Sequence, residues 1–417
     1  TDKSAFVLAE GAPYAVTISA EDATAKNLTM AGADATVKIT GSYRADDPEA
    51  VPTTLSDAQA YETPSFTVRD GATLAVDGGA LTLTNYAGLV SVSSDDPAHP
   101  SRLVVTNGTL NYAAADGTVS GKYTKPRGWF EVGPGGQLDI VDSTVTAVGP
   151  KSTDQQPLII ANGGTIDVRG HSVYHVSRES AMRTFGTGTT TFEDQAVLTF
   201  SGNSSHNTHL RIAPTAAGET ARFTLADESR MLGYFGTFFL GNTTAGTTLL
   251  DVCSTNCFQN TNNSGYFAYS GRVGCGYGTT VMNVSTSCSW KVDCNGLFVG
   301  IPESATHLAN PASAELNLSG GAKVTSGAMC AISRGQSSAR RKALLTHFGI
   351  VVGENGKATA PGGSVPPTNT PRTGSVKTSS GTANTAVTTN DQRLAPRTSV
   401  RKGRRSSCAQ SFTICGK

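Results

Sequence analysis

The chain has 417 residues, of which 16% are charged and 46 are glycine, and its formal net charge is +1. No run of about 18 apolar residues occurs, which excludes a membrane-spanning helix. The hydrophobic share, 38%, is low for one compact core of this size and suits a thin core fed by alternating residues, in a fold that grows along one dimension.

The near-neutral total hides an asymmetry. Residues 1–330 carry 19 Lys and Arg against 30 Asp and Glu, whereas residues 331–417 carry 14 against 2. The chain opens at Thr1 with neither a Met nor a signal peptide and is read as a mature or excised segment.

From the N-terminus onward one phrase recurs: a Gly-rich turn, then a short strand in which apolar and polar residues alternate. Loose copies come first, Gly71-Ala72-Thr73-Leu74-Ala75-Val76 and Leu103-Val104-Val105-Thr106-Asn107-Gly108. Tyr123 and Trp129 flank the turn Pro126-Arg127-Gly128 and are the aromatic rings best placed to stack on a sugar face. Sharper copies follow in Gly135-Gly136-Gln137-Leu138-Asp139-Ile140 and Gly163-Gly164-Thr165-Ile166-Asp167-Val168. Further copies end in Leu249-Leu250-Asp251-Val252, Val281-Met282-Asn283-Val284 and Glu315-Leu316-Asn317-Leu318.

From Asp139 to Asp167 is 28 residues, from Asp251 to Asn283 is 32, and from Asn283 to Asn317 is 34. Repeats of that length mark solenoids, propellers or arrays. Period-two alternation with β-branched, Gly-rich content excludes a helical repeat, and no recurring aromatic blade signature supports a propeller. The reading is an all-β fold, a parallel β-helix over residues 1–330 of roughly a dozen coils. Coils would stack about 4.8 Å apart, with residues i and i+2 of each strand turned inward. Leu138 and Ile140 are thus expected inside and Asp139 outside.

The outward residues Asp139, Asp167 and Asp251, with Asn283 and Asn317, hold equivalent strand positions and form the most ordered polar feature, a candidate ligand ladder; spacing alone does not place them on one face. Asp139 and Asp142, three apart, would face opposite sides of one strand, whereas Asp167 and Arg169 share a face, as an acid–base pair would need to. His171 and His175 in one strand would stand roughly 13 Å apart, too far for a single metal ion, and no metal or cofactor is expected. Cys253, Cys257, Cys275, Cys288, Cys294 and Cys330 cluster. An even cysteine count in a Ser/Thr/Asn-rich, Lys-poor body predicts disulfides in an oxidising compartment, since paired C-x2-C knuckles for zinc are missing.

The phrases Val132-Gly133-Pro134-Gly135-Gly136-Gln137-Leu138-Asp139-Ile140 and Leu316-Asn317-Leu318-Ser319-Gly320-Gly321-Ala322-Lys323-Val324 resemble the repeats of autotransporter passenger domains. They are also similar to autotransporter-associated strand repeats, within the pectin-lyase-like right-handed β-helix class. The resemblance covers roughly residues 15–330 and implies a right-handed coil, secretion, cell-surface display and often adhesion. It departs from the family at the end: no run of membrane-barrel strands follows, and the chain closes on Ile414-Cys415-Gly416-Lys417, so self-translocation is not expected of this segment.

After Cys330 the grammar fades. Residues 331–417 read as a basic, Ser/Thr/Pro/Gly-rich and largely disordered tail, with a short helix at 337–349 and one solenoid-like phrase at Ile350-Val351-Val352. The expected function is a secreted or cell-surface structural or adhesive module without catalytic activity, with glycans or surface proteins as partners and no specific nucleic acid. A polysaccharide-active lyase or hydrolase on the same scaffold is the second reading. A bare scaffold segment is the third, and it predicts an unsealed hydrophobic end near Thr1.

Overall fold

Alternation with period two leaves each strand one apolar face, and the chain buries these faces by winding. The computed structural model describes residues 4–8, 11–46, 66–86, 89–114, 130–149, 156–177, 180–201, 209–234, 237–241, 246–254, 258–260, 271–273, 278–284, 289–292, 297–299, 313–318, 323–327, 350–352, 356–360, 375–378, 384–385 and 411–415. As far as Gly356–Ala360, each coil runs through three short strands and every third strand joins the same sheet. Sheet 1 has 12 strands from Ala5–Leu8 to Ile350–Val352, sheet 2 has 14 from Tyr14–Ile18 to Asn384–Thr385, and sheet 3 has 12 from Ala23–Ala25 to Ser411–Cys415. Among the described strands pairing is parallel except where Lys323–Gly327 meets Ser411–Cys415 and Ser375–Thr378 meets Asn384–Thr385. This is the parallel β-helix expected from the repeats.

The stack continues beyond residue 330. Ile350–Val352 pairs with Leu297–Val299 in sheet 1, and Gly356–Ala360 pairs with Ser313–Leu318 in sheet 2. The helix expected at 337–349 lies outside the described residues.

Parallel register turns the inward positions into continuous columns. In sheet 2, Val37, Leu74, Leu103, Leu138, Ile166, Thr190, Phe223, Leu250, Met282 and Leu316 stand one above another, all buried. The polar member, Thr190, is satisfied by a 2.7 Å hydrogen bond to Thr184 of sheet 1 across the core. Aromatic rings bridge the sheets midway along: Phe192 stacks on Phe223 at 5.8 Å and meets Tyr174 edge-on at 6.0 Å. In the first coil Val7, Val16, Ile18, Ala23 and Ala25 are only partly buried, and Phe6 and Leu8 are exposed.

The turn from sheet 2 to sheet 3 is where the acidic residues enter the architecture. Asn107, Asp142, Asp194 and Asp227 take left-handed φ values of 49°, 48°, 56° and 54° there. Short Asn and Asp side chains tolerate that region, and their oxygens can receive backbone N–H groups left over at a corner. The N–H of His171 donates to Asp142 Oδ1 at 2.9 Å, that of Gly170 to Asp194 Oδ2 at 2.9 Å, and that of Asp194 to Asp227 Oδ2 at 3.2 Å. Just inside runs a stack of buried small polar residues. Ser172 Oγ accepts the Ser143 N–H at 3.1 Å, and Ser143 Oγ accepts that of Gly108 at 3.1 Å.

This corner has a nearly constant length, from two residues between Thr106 and Thr109 to five between Val252 and Phe258. The connection from sheet 3 back to sheet 1 varies from two residues between Ser177 and Ser180 to 22 between Gly327 and Ile350. That variation, with the connection from sheet 1 to sheet 2, which runs from two residues between Asn162 and Thr165 to 13 between Val299 and Ser313, makes the repeat period irregular.

Candidate functional site

Rung pairing resolves what spacing left open. Asp139 pairs with Asp167, Asp167 with Thr191, Thr191 with Thr224, Thr224 with Asp251, Asp251 with Asn283 and Asn283 with Asn317. The five residues singled out in the sequence therefore lie in one outward column on sheet 2, with Thr191 and Thr224 completing it.

The two ends of the column differ in chemistry. Asn317 Nδ2 donates to Asn283 Oδ1 at 3.0 Å, and Asn283 Nδ2 donates to Asp251 Oδ1 at 2.8 Å. An amide carries both donor and acceptor, so amides can relay along a column without net charge; a carboxylate only accepts, so Asp251 ends the relay. Arg222, from the coil before, brings Nη1 to 3.8 Å from Asp251 Oδ2.

At the other end two carboxyl groups, Asp139 and Asp167, stand opposite each other on adjacent rungs. Burial, and then the charge of Asp139, push the Asp167 carboxyl above its ordinary range, against a hydrogen bond from Thr191 and the charge of Arg169. Arg169 Nε also lies 3.7 Å from Glu193 Oε1, and burial raises the Glu193 carboxyl as well. The cluster thus places a carboxyl of raised proton affinity beside a second carboxylate and a guanidinium, the kind of set that acid–base chemistry on a glycosidic bond requires.

Because the folded-state carboxyl of Asp167 lies above its unfolded value, its ionisation costs stability at neutral pH, and that cost is relieved as pH falls through the folded value. Asp167→Asn should therefore stabilise the chain at pH 7 by about 0.5–1 kcal/mol, an amount already reduced for solvent screening. The gain should shrink toward pH 4; equilibrium urea unfolding at the two pH values measures it. A variant less stable than the parent at pH 7 would show that the Thr191 bond outweighs the repulsion.

Other sequence candidates are redistributed. Asp142 sits at the corner rather than within the strand Gly136–Val141, because its left-handed φ ends that strand. His171 does not share a strand with His175: Gly170, at φ 64°, turns the chain before Val173–Ser177 begins. His171 Nδ1 instead stands 3.5 Å from Asp142 Oδ1. Cys253 donates its thiol to the Leu225 carbonyl at 3.3 Å, and burial, with the Asp251 charge added, raises that thiol. Cys257, Cys275, Cys288, Cys294 and Cys330 lie outside the described residues, as do Tyr123 and Trp129.

Some outward residues went unread. Glu131 on sheet 1 accepts a hydrogen bond from Asn162 Nδ2 at 2.9 Å, and burial lifts its carboxyl. Thr191 lies in a strand, Thr189–Phe192, whose run of three threonines hides the alternation. Among the described residues no group of three or more His, Cys, Asp or Glu side chains is arranged to hold a metal ion, and no helix is long and apolar enough to cross a membrane. No family model matches the chain, and no curated protein or solved structure matches it either.

Proposed function

We propose that this chain is a secreted or cell-surface structural and adhesive rod, related to the autotransporter-type β-helices its repeats resemble, that contacts glycans or surface proteins along sheet 2. The observation that carries this reading is the unbroken outward column from Asp139 to Asn317, which offers one polar group on each of seven successive rungs. Repeated weak contacts at about 4.8 Å spacing suit an extended polymer, where linked sites raise avidity without any one strong pocket. The clustered cysteines fit an oxidising compartment, where staples between coils would stiffen the rod.

A second reading, a polysaccharide-active enzyme, draws on the Asp139, Asp167, Arg169 and Glu193 cluster, where a carboxyl of raised proton affinity faces a second carboxylate. One experiment separates the readings. The whole chain is tested against neutral and acidic polysaccharides for retention and for new reducing or unsaturated ends. The adhesive reading expects retention without new ends, weakened about tenfold or more when Asp139, Asp167 and Asp251 are all replaced by alanine. New ends that vanish in Asp167→Ala would replace it with the enzymatic reading. Neither signal would leave a scaffold with no ligand on this face.

A further inference from the structure

Sheet 3 carries an arrangement that the sheet 2 column does not use. Strand Val173–Ser177 lies against strand Val197–Ser201 of the next coil, with His175 opposite Thr199 and Ser177 opposite Ser201. His175 Nδ1 is 2.7 Å from Thr199 Oγ1, and His175 Nε2 is 3.1 Å from Ser201 Oγ. Period two sends all three side chains outward, and rung pairing sets their spacing: one partner directly opposite, the other two residues farther along.

A hydroxyl within hydrogen-bond reach of an imidazole whose other nitrogen is held by a third group has the form of an activated nucleophile. Ser201 is exposed, so a reactant can reach it, while His175 is half-buried. The outward residues facing His175 are Thr144, Thr146 and Val148 from one side and Val197, Thr199 and Ser201 from the other, with Val173 and Ser177 on its own strand. None of these carries a charge. Burial lowers the proton affinity of His175, so it is neutral and able to accept a proton at pH 7.

We propose that Ser201 is a nucleophile, with His175 as its general base and Thr199 as the residue that positions the imidazole, and that it takes acyl groups from exposed carboxylic esters. The tautomer assigned carries its proton on Nδ1, donated to Thr199 Oγ1, which leaves the Nε2 lone pair to accept the Ser201 O–H. Ser201 Oγ bonds to the acyl carbon as its proton passes to Nε2. The tetrahedral adduct then breaks its C–O bond to the alcohol, and the departing oxygen takes the proton back from Nε2. The products are acyl-Ser201 and the free alcohol, with His175 neutral again. Solvent water, deprotonated by the same Nε2, completes hydrolysis. Thr199 orients the ring but supplies no negative charge to the imidazolium, so the reaction is slow and favours activated esters. The site lies on a different sheet from the column proposed for adhesion and stands independently of that role.

The test is to incubate the whole chain with p-nitrophenyl acetate, following nitrophenolate release, intact mass and the acetylated peptide. One acetyl group should appear, at Ser201. It should be absent in Ser201→Ala, a change at an exposed position, and form about 100-fold more slowly in His175→Gln. In the unaltered chain the rate should rise with pH along an imidazole titration centred below the usual histidine value, and Thr199→Val should move that midpoint. Acetylation spread over lysines and other serines, undiminished in Ser201→Ala, would overturn the proposal. So would a rate in the unaltered chain that shows no imidazole titration.

Discussion

Phe192→Ala is expected to destabilise the coil stack by about 3–5 kcal/mol, the range for removing a large buried aromatic side chain. Phe192 is fully buried, lies in sheet 2 between Val168 and Leu225, and joins the stack on Phe223 to the edge contact with Tyr174. Three consecutive coils therefore lose packing at once. A helix of stacked coils is held by nearest-neighbour interfaces, so the damage should concentrate around the rungs holding residues 168–225. Equilibrium urea unfolding should show the lost stability, and hydrogen exchange should show faster opening of those rungs than of residues 66–114. Phe192→Leu, which keeps most of the volume, should cost less than about 1.5 kcal/mol. A loss below 1 kcal/mol in Phe192→Ala would mean that the neighbouring rings collapse into the space.

Gly136→Ala should be as damaging for a different reason. A methyl group there would lie on the carbonyl oxygen of Val92 and crowd that of Gly133, which is backbone and unable to swing aside. Val92 lies in the sheet 1 strand Val90–Ser93 of the preceding coil, and Gly133 in the corner leading from sheet 1 into sheet 2, where the Gly136 N–H bonds the Gly133 carbonyl at 2.9 Å. Relief requires the coils to move apart, which breaks ladder hydrogen bonds on either side, and a cost of about 3 kcal/mol or more is expected. Gly78→Ala is the informative contrast. Gly78 has φ +70° but open space around the added methyl, so strain alone should cost about 1 kcal/mol. Thermal unfolding of the two variants side by side checks the claim. Equal losses would mean that backbone conformation, not the approach of Val92, governs these corners.

The regions that announced themselves in the sequence are those where alternation and a Gly-rich turn coincide. Leu138, Asp139 and Ile140 were readable as in, out and in because the pleat allows no other reading of that pattern. The same holds for Ile166, Asp167 and Val168. The coil between Gly186 and Phe192 was silent, because its inward residue at position 190 is a threonine whose partner, Thr184, lies in another sheet. His171 and Asp142 were misplaced since a left-handed residue ends a strand without leaving a mark in hydropathy. The contact between His175 and Ser201 spans 26 residues, while the same column's neighbours lie at other separations. Side-chain meetings across coils depend on the length of each intervening connection, and no local pattern encodes that length. The column on sheet 2 became legible as one face only when register joined Thr191 and Thr224 to the aspartates.

The contrast between the near-constant corner after sheet 2 and the variable connection after sheet 3 has a consequence for how such a rod can diversify. Extra chain added between sheets 3 and 1 leaves the register of every column untouched, because each strand returns to its rung whatever the length of the excursion. Lengthening such an excursion from a few residues to 20 or so adds on the order of 1–2 kcal/mol of closure entropy, small beside the packing of a coil. The protein thus has a margin along which new segments can be inserted while the corner from sheet 2 to sheet 3 keeps gauge. Its surface could be re-equipped many times over without its interior being redesigned.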